Sequence, residues 1–364
     1  MCCLRFRAIS SLGALVLVTL GLLSAPSSGS VGAAGVPRIR HVFVINIENR
    51  SYAATWGATS AAPYLARTLR RKGVLLSSYY ATAHYSQPNY VAQISGQGPD
   101  GQMQRDCGYY SRFVQHRTAW PGQAVGHGCV FPRSVRTLPD QLSSTGRTWR
   151  GYMEDMNTPC RHPALGSRDH TQLARVGDQY ALKHNPFMYF RSITWSATCT
   201  RHVVGLRKSL PRDLARISRT PNLSYLTPNL CNDGHDQPCV NGGRGGLAAV
   251  NSWMRYWVPK ILNSPAFKAN GVLVITSDES DSRSTACCRE RRGPNAARPG
   301  IYGPGGGRTG ALVISRFTRP GTWSARPYNH YSLLASIEDI FGLPHLGYAR
   351  TPGLNRFGSD VYNR

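Results

Sequence analysis

Acidic side chains are scarce in this chain: 18 Asp and Glu stand against 43 Lys and Arg in 364 residues. The formal charge of +25 argues against a strongly basic partner and favours anions. Lysine itself is rare, because 38 of the 43 basic residues are arginine, spread along the whole length. A nucleic-acid footprint would be clustered, so dedicated nucleic-acid binding is not expected. Long apolar runs are missing as well. No segment after residue 35 is apolar over the roughly 18 residues that a membrane span needs, so no transmembrane segment is expected in the mature chain. The cysteine spacings match neither zinc fingers nor zinc ribbons. Gly305-Gly-Gly-Arg308 lacks the lysine and the strand–loop–helix setting of a P-loop, and reads as a flexible surface loop.

What is present begins with an export signal. Arg5 and Arg7 precede an apolar run over 12–23, and small residues continue to Ala33 and Ala34. That layout predicts a signal peptide over 1–34, cut near residues 33–35, and a chain that is secreted or held at the cell envelope. Eight cysteines follow the signal, an even number that suggests disulfides in an exported protein. Cys231 and Cys239 form the one local pair worth naming, while adjacent Cys287 and Cys288 are expected to bridge to different partners. Residues 35–364 suffice for a single catalytic domain, with 97–135 and 280–310 as loop insertions.

Short apolar runs alternate with helical spacing, the pattern of an α/β fold with a mostly parallel sheet covered by helices. Strands are predicted at 41–47, 74–79, 148–153, 223–226, 271–276 and 311–314. Helices are predicted at 61–72, 88–95, 247–262 and 329–341, the last stopped by Gly342 and Pro344.

The chemistry concentrates at two strand ends. Residues 41–47 run into Glu48-Asn49, and residues 271–276 run into Ser277-Asp278-Glu279. In an open parallel sheet, ligands bind outside the carboxyl ends of the strands. Three carboxylates and an amide gathered there repel one another unless a divalent cation joins them, and such an ion polarises a phosphoryl oxygen. Ser86, ahead of Pro88, reads as a helix N-cap with its hydroxyl at the positive helix end. A serine attacks at neutral pH only when a base or metal activates it, and the carboxylate cluster is the candidate source.

Ser86-x-Pro88-Asn89, with a helix ending in Ser95-Gly96, resembles the nucleophile motif of the alkaline phosphatase superfamily. Tyr90 stands where sulfatases of that superfamily carry Arg, which argues against a sulfatase. More closely, the chain resembles the phosphoesterase family of bacterial and fungal acid phosphatases and phospholipase C enzymes. The matching pieces are Glu48-Asn49, His84-x-Ser86-x-Pro88-Asn89-Tyr90, Lys183-His184-Asn-Pro186, Asn232-Asp233-Gly-His235-Asp236, Ser277-Asp278-Glu279 and Tyr328-Asn-His330. The resemblance implies a three-layer αβα sandwich. It also implies one metal ion, Mg, Ca, Mn or Zn, held by Glu48, Asn49, Ser86, Asp278 and Glu279. His184 and His235 match histidines implied to contact the phosphoryl group or assist the leaving group, and His84 is expected to face the same pocket. His330 is a further ligand or a helix-start residue, and Asp233 either a turn residue or a ligand. A second ion is the alternative count. Two-metal relatives hold it with a Pro-Asp, and here Asn229 follows Pro228.

The expected activity is hydrolysis of a phosphorylated small molecule or lipid, first as a phosphomonoesterase working through a phosphoserine. A phospholipase C or other phosphodiesterase is the alternative within that chemistry. A non-catalytic secreted binding protein on the same scaffold is the alternative outside it, though such a protein would be free to lose Ser86 and the acids.

Overall fold

The seven residues His41–Ile47 are buried at every position, and both edges of this strand are paired. Gly271–Ser277 lies parallel on one side and Leu223–Thr227 parallel on the other. In the computed structural model the described residues are 35–281 and 305–364, together with 284, 293–296 and 298. The predicted signal peptide, most of the 280–310 segment, and Cys287 and Cys288 lie outside them.

Eight strands form the central sheet. Their order is Thr322–Ser324, Val74–Leu76, Ala311–Ser315, Gly271–Ser277, His41–Ile47, Leu223–Thr227, Trp149–Met153 and Val203–Gly205. All run parallel except Ala311–Ser315, which is antiparallel to both neighbours. Successive strand residues face opposite sides of a sheet. Accordingly Val42, Val44, Val272 and Val274 join one apolar cluster with Val91 and Ile94 of the helix Ser86–Ser95 and Leu334 of the helix His330–Phe341. Phe43, Ile45, Leu273 and Ile275 join a second, with Trp253 and Trp257 of the helix Gly246–Asn263. Helices cover both faces, which makes three layers.

Several elements differ from the sequence reading. The 61–72 segment is a six-residue π-helical stretch, Tyr64–Leu69, followed by the 3-10 turn Arg70–Lys72. The 74–79 strand is two short pieces; Tyr79–Tyr80 leaves the sheet to pair with Tyr328–Asn329. Val203–Gly205 and Thr322–Ser324 were not anticipated, because three residues are too few to show a period. Within 97–135, Val114–Ala119 and Gln123–His127 form a hairpin outside the central sheet. Tyr110, Phe113 and Phe131 of that segment nevertheless enter the core.

Disulfides join Cys107 to Cys129, Cys160 to Cys199, and Cys231 to Cys239. The local pair matches expectation. These three bonds occupy all six described cysteines, so none of the six is left as the separate partner expected for Cys287 or Cys288. Among the described residues, no helix is long and apolar enough to cross a membrane.

Candidate active site

Parallel pairing in register carries Ile47 and Ser277 to the same level, so the residues that follow them emerge together. The Asp278 N–H donates to the Ile47 carbonyl at 3.0 Å, and the Asn49 N–H donates to Asp278 Oδ1 at 3.0 Å. From the other side, the Glu48 N–H donates to the Asp233 carbonyl at 2.8 Å. Three carboxylates, Glu48, Asp233 and Asp278, thereby converge in full burial. Burial, then Asp278 and Asp233, push the Glu48 carboxyl well above its ordinary range. Burial does the same to Asp233.

The helix Ser86–Ser95 delivers a hydroxyl to this cluster: Ser86 Oγ donates to Glu48 Oε2 at 2.9 Å. Ser86 is the first helical residue rather than the cap. Tyr85 takes the cap position at φ 70°, a left-handed angle rare for a side chain of its size. Two flanking groups hold that elbow. Glu279 Oε2 accepts from the Tyr85 N–H at 3.1 Å and contacts His84 Nδ1 at 2.5 Å. Behind it, the Ala81 N–H donates to Gly307 at 2.9 Å, and a Cβ on Gly306 would lie 2.0 Å from the Ala83 oxygen. Only glycine fits there. Residues 305–307 are therefore a buried strap behind the elbow, not the flexible surface loop expected.

The helix start offers an anion fewer N–H groups than the sequence suggests. The Gln87 N–H is taken by Asp106 Oδ1 at 3.0 Å, and Pro88 has none. A cation stands nearby instead: buried Lys183 Nζ lies 3.4 Å from Asp106 Oδ2 and 3.3 Å from His235 Nε2. Burial opposes its charge, but Asp106 and Glu48 outweigh burial and raise its pKa.

His184 is the pivot between the two sides. Its Nδ1 lies 3.0 Å from Asp233 Oδ2, and its Nε2 lies 3.3 Å from Glu48 Oε2. Burial, then Lys183 and His235, hold its pKa well below the usual value, which favours the neutral ring. In the neutral tautomer whose Nδ1–H donates a hydrogen bond to Asp233, the Nε2 lone pair faces Glu48. Among the described residues, His184 Nε2 and Asp278 Oδ2 are buried without a hydrogen-bond partner. One ligand atom each from Glu48, His184 and Asp233 lies within 4.8 Å of the others. Buried acids, a neutral imidazole and two orphaned acceptors are a donor set that fits a divalent cation.

The structure thus brings Ser86, Glu48, Asp278, His184 and Asp233 together, with Asn49 holding Asp278 through its backbone. Asp233 moves from an ambiguous turn residue to the centre. Glu279 is turned to His84, and burial raises its carboxyl to about 8. His84 has both ring nitrogens engaged, Nε2 lying 2.5 Å from the Ser284 carbonyl. His235 lies at the rim, its Nδ1 2.7 Å from Asp236 Oδ1. His330 sits beneath the site: Nδ1 is 3.0 Å from the Tyr79 hydroxyl and Nε2 is 2.5 Å from the Asp278 carbonyl, so neither nitrogen is left for a metal. Tyr90, conspicuous only for replacing an Arg, donates its hydroxyl to Glu48 Oε1.

A family model described as the Phosphoesterase family matches residues 59–344. An acid phosphatase of Aspergillus fumigatus is 26% identical over 307 residues, 84% of this chain and 55% of that protein. The chain therefore spans about half the length of that fungal relative. A phosphatidylinositol-3-phosphatase of Mycobacterium tuberculosis is 27% identical over 346 residues, 94% of this chain and 91% of that one. Among solved structures, a protein in the alkaline phosphatase superfamily from Vibrio parahaemolyticus shares the fold. It aligns with a TM-score of 0.51 at 11% identity, covering 90% of this chain and 72% of the other.

Proposed function

The chain belongs to the phosphoesterase family, and from that premise we propose that it is an exported, metal-dependent phosphomonoesterase whose nucleophile is Ser86. The observation that carries this reading is the 2.9 Å bond from Ser86 Oγ to Glu48 within a buried cluster of acids. Glu48, Asp278, Asp233 and His184 would hold the cation, with Asn49 as a further oxygen ligand on the family pattern. When bound, a divalent ion lowers the pKa of a coordinated hydroxyl and neutralises charge on a phosphoryl oxygen.

The chain's own groups do the rest. Ser86 passes its proton toward Glu48 and attacks phosphorus. The bond from Ser86 oxygen to phosphorus forms as the ester bond to the leaving group breaks. Lys183 supplies positive charge to the equatorial oxygens; in turning to them it leaves His235 Nε2, 3.3 Å away, free to take up a proton and give it to the departing alkoxide. Water then attacks the phosphoserine, phosphate leaves, and Ser86 regains its proton. Three disulfides fit an oxidising compartment, which supports export.

A phosphorylated lipid headgroup is the second reading of the substrate. It is favoured by the mycobacterial relative, which is named for an inositol lipid and matched over 91% of its length. The test compares p-nitrophenyl phosphate with p-nitrophenylphosphorylcholine, with and without a chelator. Expected is phosphate release from the monoester, lost on chelation and restored by added metal. Preference for the diester, or indifference to the chelator, would overturn the proposal.

A further inference from the structure

A cleft of about 540 Å³ opens beside the edge strand Val203–Gly205, lined by Arg150, Arg201, Arg207, Lys208 and Arg212 and by a single acid, Asp155. Its upper end is built from residues that follow Met153 and Gly205, the last residues of two parallel strands. Those strands end on the same edge of the sheet as His41–Ile47. With neighbouring strands ~4.8 Å apart, the upper end lies roughly 10–15 Å along that edge from Glu48. One turn separates the two places. Asn229 donates to Asp155 Oδ2 at 2.6 Å, and four residues later Asp233 stands in the acid cluster.

The cleft's charge is only partly cancelled. Arg150 pairs with Asp213, Arg212 Nε lies 3.3 Å from the same carboxylate, and Arg207 Nη2 lies 2.8 Å from Glu154. Five cations face Asp155, Asp213 and Glu154, so two positive charges are left over. Arg201 and Lys208 have no carboxylate partner among the described residues. The nine-residue helix Leu206–Leu214 also starts here without a side-chain cap, adding its positive end. The lining runs from residues just after Met153 and Gly205, at the sheet's carboxyl edge, to Arg150 and Arg201 near the starts of the same strands, a course away from the catalytic edge that suits a linear anion rather than a second compact one.

Resting on the phosphoesterase reading of Ser86, we propose that this cleft holds the continuing chain of a substrate with repeated phosphates, whose leading phosphate is presented to Ser86. Inorganic polyphosphate and a poly(glycerol phosphate) share that chemistry. The test measures binding by calorimetry in the Ser86→Ala protein, with and without Arg201→Ala and Lys208→Ala, so that no hydrolysis is needed. The probes are short-chain polyphosphate, poly(glycerol phosphate), orthophosphate and a single-stranded oligodeoxynucleotide.

Expected is about a tenfold loss of affinity for one phosphate chain in the variant, with a shallower salt dependence. The chain that loses affinity identifies the source. Orthophosphate binding should not change, and Arg201→Ala/Lys208→Ala in the otherwise native protein should hydrolyse p-nitrophenyl phosphate as before. Equal affinity of both proteins for each phosphate chain, no binding of either, or tighter binding of the oligonucleotide overturns the proposal. Failure of the Ser86 reading shows separately, as turnover of the monoester by the Ser86→Ala protein.

Discussion

Asn89 reaches back across one turn to Thr82, whose backbone N–H it accepts at 3.0 Å. The same oxygen accepts from Ala83 at 2.9 Å, while the amide donates to the carbonyls of Ala83 at 2.7 Å and Tyr85 at 2.9 Å. One buried side chain thus clasps residues 82–85 and holds Tyr85 in its left-handed conformation, which aims Ser86. The asparagine of the Ser86-x-Pro88-Asn89 motif is a positioning residue.

Asn89→Ala should lower kcat by about 10- to 100-fold, because a displaced nucleophile loses its attack geometry. It should also cost roughly 1–3 kcal/mol of stability for the backbone groups left unpaired. Steady-state kinetics beside thermal melts read both. Full activity at reduced stability would separate the clasp from the chemistry.

The acid role of His235 predicts a dependence on the leaving group. A nitrophenolate departs without help, whereas an alkoxide needs a proton. His235→Asn should therefore slow hydrolysis of an alkyl phosphate by about 100-fold or more, and that of p-nitrophenyl phosphate far less. Equal losses on the two substrates would assign His235 to binding instead.

Away from the site, Glu338 sets a pH dependence of stability. Burial raises its carboxyl from 4.5 to about 9, so the folded chain keeps a proton that the unfolded chain gives up. Its contribution is complete below about pH 4.5 and is lost as pH rises toward 9. Glu338→Gln should flatten that decline and be the more stable protein near pH 8. Denaturant melts across pH check it, and parallel curves for the two proteins would contradict it.

The strand ends were legible because an apolar run that stops at an acid is visible in sequence, as in Ile47-Glu48 and Ser277-Asp278. The Ser86 helix was legible through its proline and its Gly96 stop, where the chain turns left-handed at φ 66°. Asp233 was ambiguous because Asn232-Asp-Gly-His has the composition of any polar turn; the Glu48 N–H bond to its carbonyl and the 3.0 Å contact of its Oδ2 with His184 Nδ1 place it in the site. Asp106 lies in the 97–135 segment, and nothing local announces that its carboxylate ends at Gln87. Asn46 and Gln93 were hidden for another reason. Each sits between apolar neighbours, Ile45 and Ile47 in the strand and Ala92 and Ile94 in the helix, and they bond each other at 3.0 and 2.9 Å beneath the site. The pairs Cys107–Cys129 and Cys160–Cys199 depend on chain path alone, which spacing does not encode.

The central claim is that Ser86 is the nucleophile, and kcat/KM of Ser86→Ala on p-nitrophenyl phosphate, measured with its melting temperature, tests it most directly. The account predicts a loss of at least about 1,000-fold with the melting temperature essentially unchanged. Activity within about tenfold of the native protein would contradict it.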